Sequence, residues 1–293
     1  MKTQIHSESL RTLFLSVFGI AAGILPGVYA KDWEVIEKDG GSFVGAGNIF
    51  EFYQFEEKKE NPGERRAFLK HPHMEVSLDQ LKDPRHIEIN RVRFKLIHPM
   101  GWDDRRQEVL VHVDDLSKVL DPTLRPQFRG RISEARLIYL SVENPPSGFD
   151  RSLLENSLEK GGWNKIDLLD KKTDLRLAIE FAIPKEAEIT PALNTRFGMK
   201  KRKGKFPPPG LPHRKALHFA TAIHSRLLKL DKMRDLSIEG HRVEAVKYPD
   251  FPEVRIILSL PEGSLDWKKF YEAIAEALAK VSEMHGKVQA PAK

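Results

Sequence analysis

The stretch with the most chemical information is the one where a hydrophobic strand runs into a polar turn. Ile132, Ala135, Leu137, Ile138 and Leu140 build the strand, and Ser141-Val142-Glu143-Asn144-Pro145-Pro146 follows it, presenting a carboxylate and an amide at the strand's end. Other groups able to bind or react are scattered. His71-Pro72-His73 puts two imidazoles on one face of an extended segment, with Asp103, Asp104, Asp114 and Asp115 downstream. That spacing matches no closed ligand set, so these read as solvated loop residues and no metal is assigned to them. His213, His218 and His224 are five and six residues apart, which does not bring neighbours together on a helix, although His224 falls close to the buried face. No G-x-S-x-G turn surrounds Ser147, and Gly45-Ala46-Gly47 lacks the third glycine of a dinucleotide loop. The chain has no cysteine, which excludes thiolate metal sites, Cys nucleophiles, disulfides and a lipid-modified cysteine.

The most concentrated charge is a basic run. Residues 189–230 contain no Asp or Glu and hold ten cations, six of them (Arg196, Lys200, Lys201, Arg202, Lys203 and Lys205) within ten residues and close to Pro207-Pro208-Pro209. Two readings stay open: a solvated excursion, or an electrostatic contact with a polyanion that gains by displacing counterions. Among polyanions, an acidic envelope glycan or lipid fits an exported chain, and nucleic acid does not.

Export is read from the first thirty residues. Lys2 and Arg11 supply positive charge, Leu13 to Leu25 an apolar run of 13 residues, and Val28-Tyr29-Ala30 the small residues of a cleavage site. Thirteen apolar residues fall short of the roughly 20 that span a bilayer, so cleavage after Ala30 is expected, leaving no transmembrane anchor. The destination is the periplasm or the exterior. The mature chain then has 263 residues and 46 cations against 41 anions, a mild excess.

The elements that would position these groups fall into two halves. Residues 31–128 read as a small strand-rich α+β domain, with period-2 alternation through Ile87–Leu96, a short helix capped by Asn48, a charged loop over 56–66, a strand at 109–113 and a short helix at 114–120. Asp121-Pro122 through Arg131 reads as a linker. Residues 132–287 alternate strand and helix: strand 134–142, helix 150–160, strands 164–169 and 174–183, the basic loop, and a long helix from Leu211. Strands 236–247 and 253–260 and a last helix follow, that helix capped by Ser264 with Trp267, Phe270, Tyr271, Ile274, Leu278 and Val281 as its apolar stripe. The expected fold of this half is α/β, a mixed sheet flanked by helices. Residues 288–293 are a tail.

In this order the elements resemble the zinc-dependent N-acetylmuramoyl-L-alanine amidases of the Amidase_3 family. Leu116–Pro126, Leu153–Asp170 and the run from Leu217 to Pro252 carry the likeness, while Trp33–Phe55 and His86–Pro99 are similar to copper amine oxidase N-terminal modules. The resemblance implies a Zn²⁺ held by two His and one Glu, with an open position for the attacking water. Each matching position is altered here. Asn144 stands for the first His of D-P-G-H-G-G, and Glu180, in Ala178-Ile179-Glu180, stands for the His of S-I-H. Ile257 falls near the catalytic Glu of V-E-x-G-F, and the insert that bears the ligand Glu is cut to Ser147-Gly148-Phe149. The expectation is therefore a pseudoenzyme without catalytic residues or cofactor that binds peptidoglycan or an envelope partner. The alternative is an active amidase, with zinc, using relocated ligands such as Glu143, Glu180 or Glu155 and a nearby His.

Overall fold

Among the described residues eleven strands form one mixed sheet, and its order explains how residues far apart in sequence meet. The computed structural model describes residues 33–72, 74–124, 135–167, 173–183, 190–199, 211–230, 233–242, 252–261 and 265–286. The leader, His73, the run Lys200–Lys205, Ser264 and the tail lie outside them.

In the first half, β1 (Val35–Lys38), β2 (Gly41–Gly45), β8 (Gly101–Asp103) and β9 (Glu108–His112) make a four-stranded sheet in the order β1-β2-β9-β8. Helix α1 (Ala46–Phe52) follows β2. The expected Asn48 cap is not formed: Gly45 occupies the cap position, and Asn48 Oδ1 instead accepts a hydrogen bond from Glu34 N at 3.3 Å. The expected charged loop over 56–66 is largely a strand. β3 (Glu57–Asn61) pairs antiparallel with β4 (Arg66–His71), and β5 (Met74–Asp79), β6 (His86–Ile89) and β7 (Val92–Lys95) continue the meander. β3 is an outermost strand, where charge along the exposed edge discourages pairing with another chain. After β9, Val113–Asp115, Leu116–Leu120 and Asp121–Leu124 run on as consecutive helical turns.

The second half contributes β10 (Leu137–Glu143), α2 (Arg151–Lys160), β11 (Asn164–Ile166), β12 (Leu175–Ala182) and β13 (Ala192–Met199), then α3 (Leu211–Leu227), β14 (Arg234–Arg242), β15 (Glu253–Ser259) and α4 (Trp267–Gly286). The full order is β11-β10-β12-β15-β13-β14-β7-β6-β5-β4-β3. β10, β11, β12 and β15 run parallel, β13 pairs antiparallel with β15, and β14 joins β7 through Ile238↔Phe94. Residues from Glu34 onward form one compact unit in which both halves share this sheet.

Alternation along the strands decides which face carries the core. Leu175, Leu177, Ile179 and Phe181 of β12 are buried, as are Val254, Ile256 and Leu258 of β15 and Leu193, Thr195 and Phe197 of β13. Trp267 of α4 meets Phe181 edge-on and His224 of α3 bonds Thr195, so α3 and α4 cover that face. Asp150 starts α2 by accepting hydrogen bonds from Ser152 N and Leu153 N, while Tyr271 Oη of α4 accepts one from Asp150 N at 2.7 Å. In α3, Leu217, Ala220, Ile223 and Leu227 are buried as the helical spacing predicts. At the start of α4, Asp266 Oδ1 accepts from Lys269 N. Among the described residues no helix is long and apolar enough to cross a membrane.

Candidate functional site

The face opposite α3 and α4 is polar, and its rows are set by strand register. Glu143 of β10 pairs with Glu180 of β12, which pairs with Ile257 of β15, which in turn pairs with Asn194 of β13. Three parallel strands thus end side by side and bring Glu143, Glu180 and Ile257 into one row. Asn144 is the next residue after β10 and turns the chain with φ 54°, a left-handed conformation that Asn adopts more readily than most residues. The three altered motif positions therefore gather at the carboxyl edge of β10, β12 and β15, where open α/β sheets place ligands.

One guanidinium governs the charge there. Arg255, two residues before Ile257 and so on the same face, sets Nη1 3.1 Å from Glu180 Oε2 and 3.8 Å from Glu143 Oε2. Two like charges on neighbouring strands repel, and the guanidinium set between them offsets that repulsion. Near them Ser141 Oγ and Asn194 Oδ1 are buried and have no hydrogen-bond partner among the described residues, which is unusual for buried polar atoms.

These residues do not fit a zinc centre. Zn²⁺ needs three converging His, Asp, Glu or Cys donors and an open position. Here one position is an amide, one is aliphatic, and Glu180 is engaged by a guanidinium whose positive charge opposes a dication. The carboxylates proposed as relocated ligands are likewise held by cations. Glu155 accepts hydrogen bonds from Arg151 and Lys165; burial raises its pKa, but these bonds outweigh burial and hold it below the ordinary carboxylate value.

The other predicted residues are dispersed. Arg196 lies on β13 with its Nε 2.6 Å from Glu239 Oε1, so the first cation of the basic run belongs to the sheet. Lys200, Lys201, Arg202, Lys203 and Lys205 fall outside the described residues. His71 ends β4, and His224 is sealed inside the core. Sequence reasoning missed a cluster in the small sheet, where His98, His112 and Asp114 bring donor atoms within 4.8 Å of one another. In the sequence Asp114 stands only as one of several carboxylates downstream of His71-Pro72-His73, while its imidazole partners come from β9 and the segment after β7.

The chain is similar in structure to several N-acetylmuramoyl-L-alanine amidases. For the enzyme from Clostridium difficile 630 the TM-score is 0.34 at 14% identity, over 54% of this chain and 100% of that one. For AmiC2 of Nostoc punctiforme it is 0.34 at 10% identity, over 53% and 99%. For the catalytic domain of CwlV from Bacillus (Paenibacillus) polymyxa it is 0.34 at 11% identity, over 53% and 99%. No protein-family model matches the chain, and no curated protein sequence matches it.

Proposed function

We propose that this is an exported envelope protein on an amidase-like scaffold that binds peptidoglycan, or an envelope partner, without hydrolysing it. The observation that carries this reading is Arg255 bridging Glu143 and Glu180 in a row with Ile257, at the edge where the resemblance calls for zinc ligands and a catalytic carboxylate. Metal activation of water needs its ligands, its open position and its base at once, and this arrangement supplies a charge-compensated polar surface instead. Export rests on the leader of residues 1–30, and the basic run from Arg196 to Lys205 would add attraction to an acidic glycan or lipid.

The test is co-sedimentation. Mature protein mixed with purified peptidoglycan sacculi is expected to pellet with them and to release no amide-cleavage products. Protein that stays in the supernatant removes the binding half of the reading, and released stem peptide removes the other half.

A further inference from the structure

The cluster in the small sheet is built as a site. His112 ends β9, and its Nδ1 accepts a hydrogen bond from Asp114 N at 3.1 Å, so the imidazole caps the helical turn that follows. His98 stacks on it, with ring centroids 3.8 Å apart and planes 25° apart, and His98 Nε2 lies 3.3 Å from Asp114 Oδ2. The surroundings hold these groups from behind. Asp115, fully buried, accepts hydrogen bonds from Ile97 N at 2.6 Å and His98 N at 3.0 Å, which fixes the segment bearing His98. Lys118 Nζ sits 2.8 Å from Asp114 Oδ1, on the carboxylate oxygen not directed at His98. Phe43 packs edge-on against His112.

We propose that His98, His112 and Asp114 form a binding site for a borderline transition-metal dication of the zinc class. Imidazole and carboxylate donors are what such an ion selects when thiolates are lacking. The 3.3 Å separation of His98 Nε2 and Asp114 Oδ2 is long for a charge-assisted hydrogen bond, which runs about 2.7–2.9 Å. It is the spacing shown by two donors that each lie about 2.0–2.1 Å from one tetrahedral ion. Ligands oriented from behind by hydrogen bonds, as Asp115 orients the His98 segment, are the usual construction of such sites. The Lys118 ammonium on Asp114 Oδ1 opposes the ion's charge and lowers its affinity, but unlike the β10–β12–β15 edge this cluster also supplies two neutral imidazole donors.

Binding requires one movement. Two imidazoles on a single tetrahedral ion keep their centroids about 5 Å apart, so the stack must open by about 1 Å. The side chain of His98 is 39% exposed and can swing, whereas His112 is buried. Binding also releases the cap: Nδ1 of His112 is the cap's acceptor, and metallating Nε2 would shift the ring proton onto Nδ1. Either way the hydrogen bond from Asp114 N is lost, which gives the metal-bound state a backbone signature.

Zinc titration of the mature chain by calorimetry tests this, with amide hydrogen exchange at Asp114 as the second readout. The expected result is one Zn²⁺ per chain, at least tenfold weaker binding in both His98→Ala and Asp114→Asn, unchanged binding in Glu180→Gln, and faster exchange at Asp114 when zinc is present. Both ligand variants lie at a part-exposed rim, so they keep the fold when the buried His112 would not tolerate change. No binding in the parent, or equal affinity in His98→Ala and the parent, overturns the inference. Zinc lost in Glu180→Gln and kept in His98→Ala would overturn it as well, and would sink the non-hydrolytic reading of the β10–β12–β15 edge with it. Zinc lost in His98→Ala alone or with Asp114→Asn leaves that reading untouched.

Discussion

Two histidine clusters in this molecule use the same chemical parts in opposite ways. His224 on α3 is fully buried, with Nδ1 2.8 Å from Thr195 Oγ1 of β13 and Nε2 3.0 Å from Asp235 Oδ1 of β14. Asp235 Oδ2 then accepts a hydrogen bond from Arg93 N of β7, so one chain of bonds ties α3 to three strands. Hydroxyl, imidazole and carboxylate in line is the layout of an activated nucleophile, yet Thr195 and His224 have no exposed surface and no substrate can reach them. In the small sheet His98 is accessible, and its donor atom lies at ligand spacing from Asp114 rather than at the distance of a tight hydrogen bond. Access and spacing, more than residue type, separate a structural tie from a binding site.

The strongest way to break this comparison is to cut the buried tie. His224→Ala removes a fully packed ring and leaves Thr195 and Asp235 with unmet hydrogen-bonding capacity, a combined cost of about 3 kcal/mol or more. Urea unfolding of the variant is expected to show a clearly lowered midpoint. A loss below about 1 kcal/mol would mean that the network contributes no more than ordinary surface bonds.

The part of the molecule that the sequence disclosed is the part with apolar periodicity. β10, β12, α2 and α4 follow from runs such as Leu137 to Val142 and from the Trp267–Val281 stripe, because an element that buries one face writes its period into the chain. β13 has the sequence of a loop, although Leu193, Thr195 and Phe197 alternate inward, because Pro191, Asn194, Arg196 and Gly198 interrupt them and the run Lys200–Lys205 follows. β3 escaped notice for a different reason: as an outermost strand built of Glu57-Lys58-Lys59-Glu60-Asn61, it has little apolar face to show. Spacing on α3 placed His224 near the core, while its partners Thr195 and Asp235 come from strands 29 and 11 residues away and leave no local signal. The pairing of His98 with His112 is set by how the β8–β9 hairpin folds back, which no short-range pattern records. The row of Glu143, Glu180 and Ile257 is legible only through the family likeness, and the placement of Arg255 between the two carboxylates depends on strand register that no local pattern records.

A smaller effect sharpens the comparison at the seam between the two halves. Glu239 of β14 receives Lys95 Nζ from β7 at 2.8 Å and Arg196 Nε from β13 at 2.6 Å. Burial raises its pKa, but the hydrogen bonds from Lys95 and Arg196 and their charges outweigh burial and hold it below the ordinary carboxylate value. A depressed folded-state value means that its stabilisation is present above the unfolded-state pKa, about 4.3, and is lost as pH falls through the lower folded-state value. Both cations are more than a third exposed, so the contribution is about 1 kcal/mol after screening. Glu239→Gln is expected to lower stability by that amount at pH 7 and by almost nothing in strong acid. A difference between parent and variant that does not shrink on acidification would assign the cost to packing instead of charge.

The smallest expected effect is the one that decides between a site and a second tie. Removing the His98 ring in the absence of metal forfeits a part-exposed stack on His112 and a long contact to Asp114, together about 0.5 kcal/mol at such exposure. The backbone bonds from Ile97 N and His98 N to Asp115 survive the substitution, because they use no side-chain atom of His98. His98→Ala should therefore unfold at nearly the parental urea midpoint, while losing zinc affinity. If instead it falls as far as His224→Ala, the stacked pair is holding the Leu116–Leu120 turn against the small sheet, and the two clusters are the same kind of object after all.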